Sequence, residues 1–111
     1  MRKFFSITIF LSFLCSCYYN GNELPQPTLT YTLHTKKIID NKCNNCHSPT
    51  GTQLIHRPYL INYNEVKNQI GRIHARALVQ KNMPQSNSNN GPLTQGERDT
   101  LQLWINKGAL E

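Results

Sequence analysis

Methionine, cysteine and tryptophan are scarce in this chain, at two, four and one in 111 residues. Each scarcity excludes something. A structural zinc site takes four Cys or His ligands, usually as two closely spaced pairs, and beyond residue 17 the only close pair of thiols is Cys43 and Cys46. A thioredoxin-like dithiol follows a strand in an α/β pattern, and no strand pattern surrounds this pair. The longest apolar stretch, Phe4 to Leu14, is too short to span a bilayer by itself. Acids are few, six against twelve Lys and Arg. The basic residues are not interleaved with stacking aromatics, which argues against a nucleic-acid partner. No internal repeat is visible. One small, basic domain is left, and its chemistry must reside in very few side chains.

The N-terminus reads as an address. Arg2 and Lys3 form a positive start, Phe4 to Leu14 an apolar stretch, and Leu14-Cys15-Ser16-Cys17 follows. An aliphatic residue three before a cysteine and a small residue just before it resemble the lipobox of bacterial lipoproteins. Residues 1–16 are therefore expected to be a lipoprotein-type signal peptide, with Cys17 as the lipid-modified N-terminus. An ordinary signal peptide cleaved nearby is the alternative. Residues 17–30, rich in turn formers and prolines, are the expected tether, and residues 31–111 the domain. Loss of Arg2 and Lys3 lowers the formal net charge from +6 to +4. The implied location is extracytoplasmic, on the periplasmic side of a membrane. A domain this small has a marginal core unless something is added to it.

Apolar periodicity predicts three helical regions. Leu33, Ile38 and Ile39 suggest an amphipathic helix over 32–42 with Thr32 as N-cap. Asn62-Tyr63-Asn64-Glu65 reads as a capping box opening a helix with Val66, Ile70, Ile73 and Ala77 on one face; Gly71 weakens its middle and invites a break there. Thr94-Gln95-Gly96-Glu97 is a second capping box, before a Leu101, Trp104, Ile105 stripe that stops at Gly108. Ser48 to Thr52 is a loop by its turn chemistry.

The first predicted helix runs straight into Cys43-Asn44-Asn45-Cys46-His47. Two thiols three positions apart followed at once by an imidazole form the attachment signature of a c-type haem. Each thiol can add across one vinyl group of the porphyrin, and the neutral imidazole is a good iron ligand. Zinc or dithiol readings of the cysteine pair lack the partners noted above. Met83-Pro84 is the second signal. A thioether sixth ligand favours ferrous iron, and with Met1 the initiator, Met83 is the only thioether in the mature chain. His74 is an alternative distal ligand. Tyr59, Tyr63 and Trp104 are candidate donors to haem carboxylates or ordinary packing residues.

Taken in order, a helix into Cys43-Asn44-Asn45-Cys46-His47, a middle helical region, Met83-Pro84, and Leu93-Thr94-x-x-Glu97-Arg98 leading to Leu101-x-x-Trp104-Ile105-x-x-Gly108 resemble a class I mono-haem cytochrome c of small bacterial lipoprotein type. The match covers residues 32–109. The resemblance implies an all-α, small cytochrome c fold of three to five helices around one covalent haem c. It implies Cys43 and Cys46 as thioether sites, His47 as proximal and Met83 as distal iron ligand, and Trp104 or Leu101 against the first helix. A proline carbonyl after the motif often orients the proximal imidazole in this family, and Pro58 is the counterpart here. The implied function is electron transfer, without enzymatic activity. Partners would be redox proteins, acidic at the docking face, met from a lipid anchor in a membrane. The alternatives are a ligand-binding or sensor haem domain, and a haem subunit of a larger membrane redox complex.

Overall fold

The computed structural model describes residues 27–53 and 55–111. The expected signal segment, Cys17 and most of the expected tether lie outside the described residues. Within them the architecture is helical, with no strand: α1 (Lys36–Lys42), α2 (Tyr63–Asn68), α3 (Ile70–Ile73) and α4 (Gln95–Asn106), plus π-helical segments Tyr31–Thr35 and His74–Val79. None of these helices is long and apolar enough to cross a membrane.

The first helical region is capped two residues earlier than its periodicity predicts. Thr30, not Thr32, is the N-cap, its hydroxyl accepting from Leu33 N at 3.3 Å. The reason is tertiary. Tyr31 is drawn into the core, its N–H donates to Leu110 O at 2.8 Å, and Thr30 and Leu110 form an isolated parallel bridge. The two ends of the domain are thus tied together before the helix begins.

Helix α2 opens at Asn62 as the sequence suggests, Asn62 Oδ1 accepting from Glu65 N at 3.0 Å. The return bond of the box goes elsewhere, because Glu65 Oε2 accepts from Ile61 N at 2.8 Å. The break in this region falls at Gln69 (φ −106°, ψ 9°), two residues before Gly71. Val66, Ile73 and Ala77 still reach the core from both sides of the break. Helix α4 carries the full capping box: Thr94 Oγ1 accepts from Glu97 N and Glu97 Oε2 accepts from Thr94 N. It ends before Gly108, whose φ of +94° is the left-handed conformation glycine adopts most easily.

Trp104 is the centre of the core, with no exposed surface. Its ring centroid lies 6.1 Å from that of Tyr31, which in turn lies 5.6 Å from Tyr63. Trp104 Nε1 donates to Leu110 O at 2.8 Å and Tyr63 Oη to Ala109 O at 2.9 Å. Lys67 Nζ donates to Gly108 O and Ala109 O, both at 2.9 Å. The Tyr63 hydroxyl and the Trp104 indole thus both secure residues 109–110.

Trp104→Ala is expected to destabilise the protein by about 3–5 kcal/mol, the range for deleting a large buried aromatic. Trp104→Phe retains the apolar volume in part and loses the indole bond, so its loss should be smaller. Guanidinium titrations of the two variants measure both.

Candidate functional site

Helix α1 delivers the cysteine pair as a continuation of its own backbone. Cys43 N donates to Ile39 O at 2.8 Å, and His47 N donates to Cys43 O at 2.9 Å. One tight turn therefore spans the whole motif. The next segment folds back over it: Gln53 N donates to Asn45 O, His56 N to Cys46 O and Leu60 N to His47 O, at 3.1, 2.7 and 2.8 Å. Three successive carbonyls of the motif are thereby satisfied by one returning strand of chain, and each stops being free to move.

The same return brings Pro58 to the histidine. His47 Nδ1 lies 2.8 Å from Pro58 O. A carbonyl oxygen only accepts, so Nδ1 carries the proton and donates, and Nε2 of the neutral ring keeps its lone pair. Such an outer hydrogen bond selects the tautomer a metal needs and aims the ring. The resemblance alone suggested this pairing; here the two atoms meet.

A cavity of about 550 Å³ opens beside this segment, within the usual size range of cofactor pockets. Cys43, Cys46, His47 and Met83 all line it. Met83 arrives by a separate route: the Arg76 carbonyl accepts from both Asn82 N and Met83 N, at 3.0 and 3.2 Å, as the chain leaves the π-helical segment. Pro58, Leu60, Ile73, Ala77 and Pro84 supply apolar wall. Arg57, Arg72 and Arg76 also line it, all three exposed, and none forms an ion pair among the described residues.

These residues fit a covalently held haem. Two thiols, an imidazole with its free nitrogen defined, and a thioether border one apolar cavity, and the guanidinium groups match the two carboxylates a haem carries. His74 does not line the cavity, and neither do Tyr59, Tyr63 or Trp104. Tyr59 instead lies under the Arg57 guanidinium, 4.6 Å from ring centroid to cation. His34 Nδ1 accepts from Thr30 N at 3.1 Å, at the start of the first helical region. Arg57, Arg72 and Arg76 belong to the basic residues that flank the motif in sequence, a pattern that suggests a basic rim; His56 and Gln53 line the cavity without any local sequence signal, because the fold-back after the motif carries them there.

Burial pushes the Cys43 thiol up to about 12, with the carboxylates of Glu97 and Asp40 adding to the effect. Burial also raises Tyr31 above its usual value. Gly51 packs directly on the motif: a Cβ there would lie 2.5 Å from Asn45 O and 3.0 Å from Asn45 C. No side chain fits between this loop and the turn that carries the cysteines.

Comparison with protein-family models, with curated proteins and with solved structures returns no match for this chain.

Gly51→Ala is expected to destabilise the protein by about 1–3 kcal/mol through overpacking; denaturant titration reads the loss. The pH dependence follows from linkage. Unfolded, the Cys43 thiol ionises near 9, whereas in the haem-free fold it stays protonated to about 12. The unfolded state therefore holds fewer protons between these values, and stability falls as pH rises through that window. A thioether has no proton to lose, so the haem-linked chain should lack the Cys43 contribution. Urea titrations at pH 8 and 11, with and without haem, make the comparison.

Proposed function

We propose that this chain is an electron carrier, a small all-α class I cytochrome c domain with one haem c joined through Cys43 and Cys46, ligated by His47 and Met83. The observation that supports this best is the His47 Nδ1–H bond to Pro58 O in the wall of a cavity that both thiols and the thioether share. Bound there, the haem supplies a one-electron Fe(III)/Fe(II) couple. The chain's own residues hold and insulate it. His47 presents a fixed Nε2, Met83 a soft thioether suited to the reduced metal, and the two cysteines prevent dissociation in either oxidation state. Leu60, Ile73 and Ala77 would exclude water from the apolar walls, while Arg57, Arg72 and Arg76 would pair with the haem carboxylates. His47 and Met83 together would hold the iron from the chain's own side chains, which suits a carrier rather than an enzyme.

The surroundings fit an acidic redox partner, although fewer cations are free than their number implies. Lys36 pairs with Asp40, Lys42 with Glu97, and Lys67 is engaged by the C-terminal carbonyls. The mature chain still carries an excess of +4 if residues 1–16 are removed. Such a field steers an acidic partner and makes association slower at higher salt. In this reading Cys17 bears the lipid, and the domain works from a membrane surface on the periplasmic side.

Protein matured with a cytochrome c assembly system should show a low-spin c-type ferrous spectrum and a ferric sulfur-to-iron charge-transfer band. Met83→Ala should abolish that band while both thioether bonds persist. A high-spin or bis-histidine spectrum in the wild type would instead support the sensor reading, and fast binding of carbon monoxide to the ferrous protein would accompany it. Cys17→Ala should move the protein from the membrane fraction to the soluble one without changing the spectrum; retention at the membrane would remove Cys17 as the lipid site.

A further inference from the structure

After Met83-Pro84 the chain runs through Gln85 to Pro92 as a strap before α4 begins. It has little apolar burial of its own: residues 85–87, 89, 90 and 92 are exposed. Polar contacts hold it instead: three are internal, from Ser88 N to Gln85 O, Gly91 N to Ser88 O and Ser88 Oγ to Gly91 O, and the others go to the cysteine-bearing segment. Asn90 Nδ2 donates to Asn41 O at 2.6 Å, Asn89 Nδ2 to Thr52 Oγ1 at 3.3 Å, and Asn89 N to Gln53 Oε1 at 3.4 Å. Lys42 is the hub. Its Nζ donates to Asn90 O at 2.5 Å and Pro92 O at 3.2 Å, and lies 3.8 Å from Glu97 Oε2. The Lys42 side chain is only 13% exposed. An ammonium shielded to that degree must be satisfied by its neighbours, and hydrogen bonds from a charged donor are about twice as strong as neutral ones. The same Glu97 oxygen accepts from Thr94 N in the α4 capping box. One cation therefore joins the residue beside Cys43, the strap that follows Met83, and the start of α4.

The geometry points to Lys42 as the positioning residue that keeps Met83 at the iron, by latching the Met83–Pro92 strap to the cysteine-bearing turn. This rests on His47/Met83 ligation as argued above. An external ligand binds the ferric iron only in molecules whose Met83 has left, so its apparent affinity reports the fraction of open strap. Removing the latch raises that fraction and the apparent affinity with it.

The test is imidazole titration of the ferric haem-loaded protein, followed by loss of the sulfur-to-iron charge-transfer band. Lys42→Leu, which keeps an apolar stem and removes the charge and donors, should bind imidazole about tenfold more tightly, equivalent to ~1.4 kcal/mol. Lys42→Arg should restore affinity to within about twofold of wild type. Lys67→Leu is the control, because it also deletes an ammonium held by two backbone carbonyls, but at the C-terminus and away from the strap. It should leave imidazole affinity unchanged while lowering the denaturation midpoint. Asn90→Ala, a milder cut in the same strap, should raise affinity about threefold, consistent with loss of one neutral hydrogen bond, and carries the test if Lys42→Leu does not fold. Equal affinity in Lys42→Leu and wild type would overturn the inference, as would an equal rise in Lys67→Leu. A wild type lacking the charge-transfer band would overturn the ligation reading itself, and the latch with it.

Discussion

The bond from His47 Nδ1 to Pro58 O is the constraint around which the site is arranged. To bring a carbonyl eleven residues downstream to within 2.8 Å of the imidazole, the chain must reverse immediately after the motif and run back across it. The backbone does so by answering the carbonyls of Asn45, Cys46 and His47 in turn with the N–H groups of Gln53, His56 and Leu60. Gly51 sits at the inside of that reversal, where even a methyl group would collide with Asn45. The cysteines, the histidine and the cavity floor are thus parts of one hydrogen-bonded unit.

The remainder of the domain divides into an anchor and an opening. At the anchor, Tyr31 packs obliquely against both Tyr63 and Trp104, and the Tyr63 hydroxyl, the Trp104 indole and Lys67 secure residues 108–110. Joining both ends in this way suits a domain with too few residues for a large apolar core. At the opening, a cavity of about 550 Å³ is bordered by ionisable thiols and guanidinium groups as well as by apolar side chains. In the proposed reading, Leu60, Ile73 and Ala77 would pack against the porphyrin and the arginines would pair with its carboxylates.

Charge is used differently in the two regions. Near the cavity mouth, Arg57, Arg72 and Arg76 are exposed and have no ion-pair partner among the described residues. Lys42, a few residues from the thiols, is shielded and engaged by two carbonyls and a carboxylate. Net basicity therefore describes the long-range field of the protein, while the role of each cation depends on what surrounds it.

Much of this was legible in the residues. The motif from Cys43 to His47 forms a single turn closed by His47 N donating to Cys43 O, so its spacing alone brings thiols and imidazole together. The Thr94 to Glu97 box and the Leu101, Trp104 stripe are local patterns of period 3.6, and they appear in α4 as the periodicity predicts. Local signals failed where distant contacts compete with them. Tyr31 packing against Trp104 moved the first cap to Thr30, and Glu65 turned to Ile61 rather than to its own N-cap. The partner of Lys42 is 48 residues away, and no periodicity encodes a contact of that span. The sequence by itself determined which atoms are available to hold a cofactor, because their chemistry and short spacing are covalent facts. Only the tertiary structure decided the tautomer of His47, the walls of the cavity and the attachment of the Met83 strap, because each depends on loop closures between segments that meet only in the folded chain.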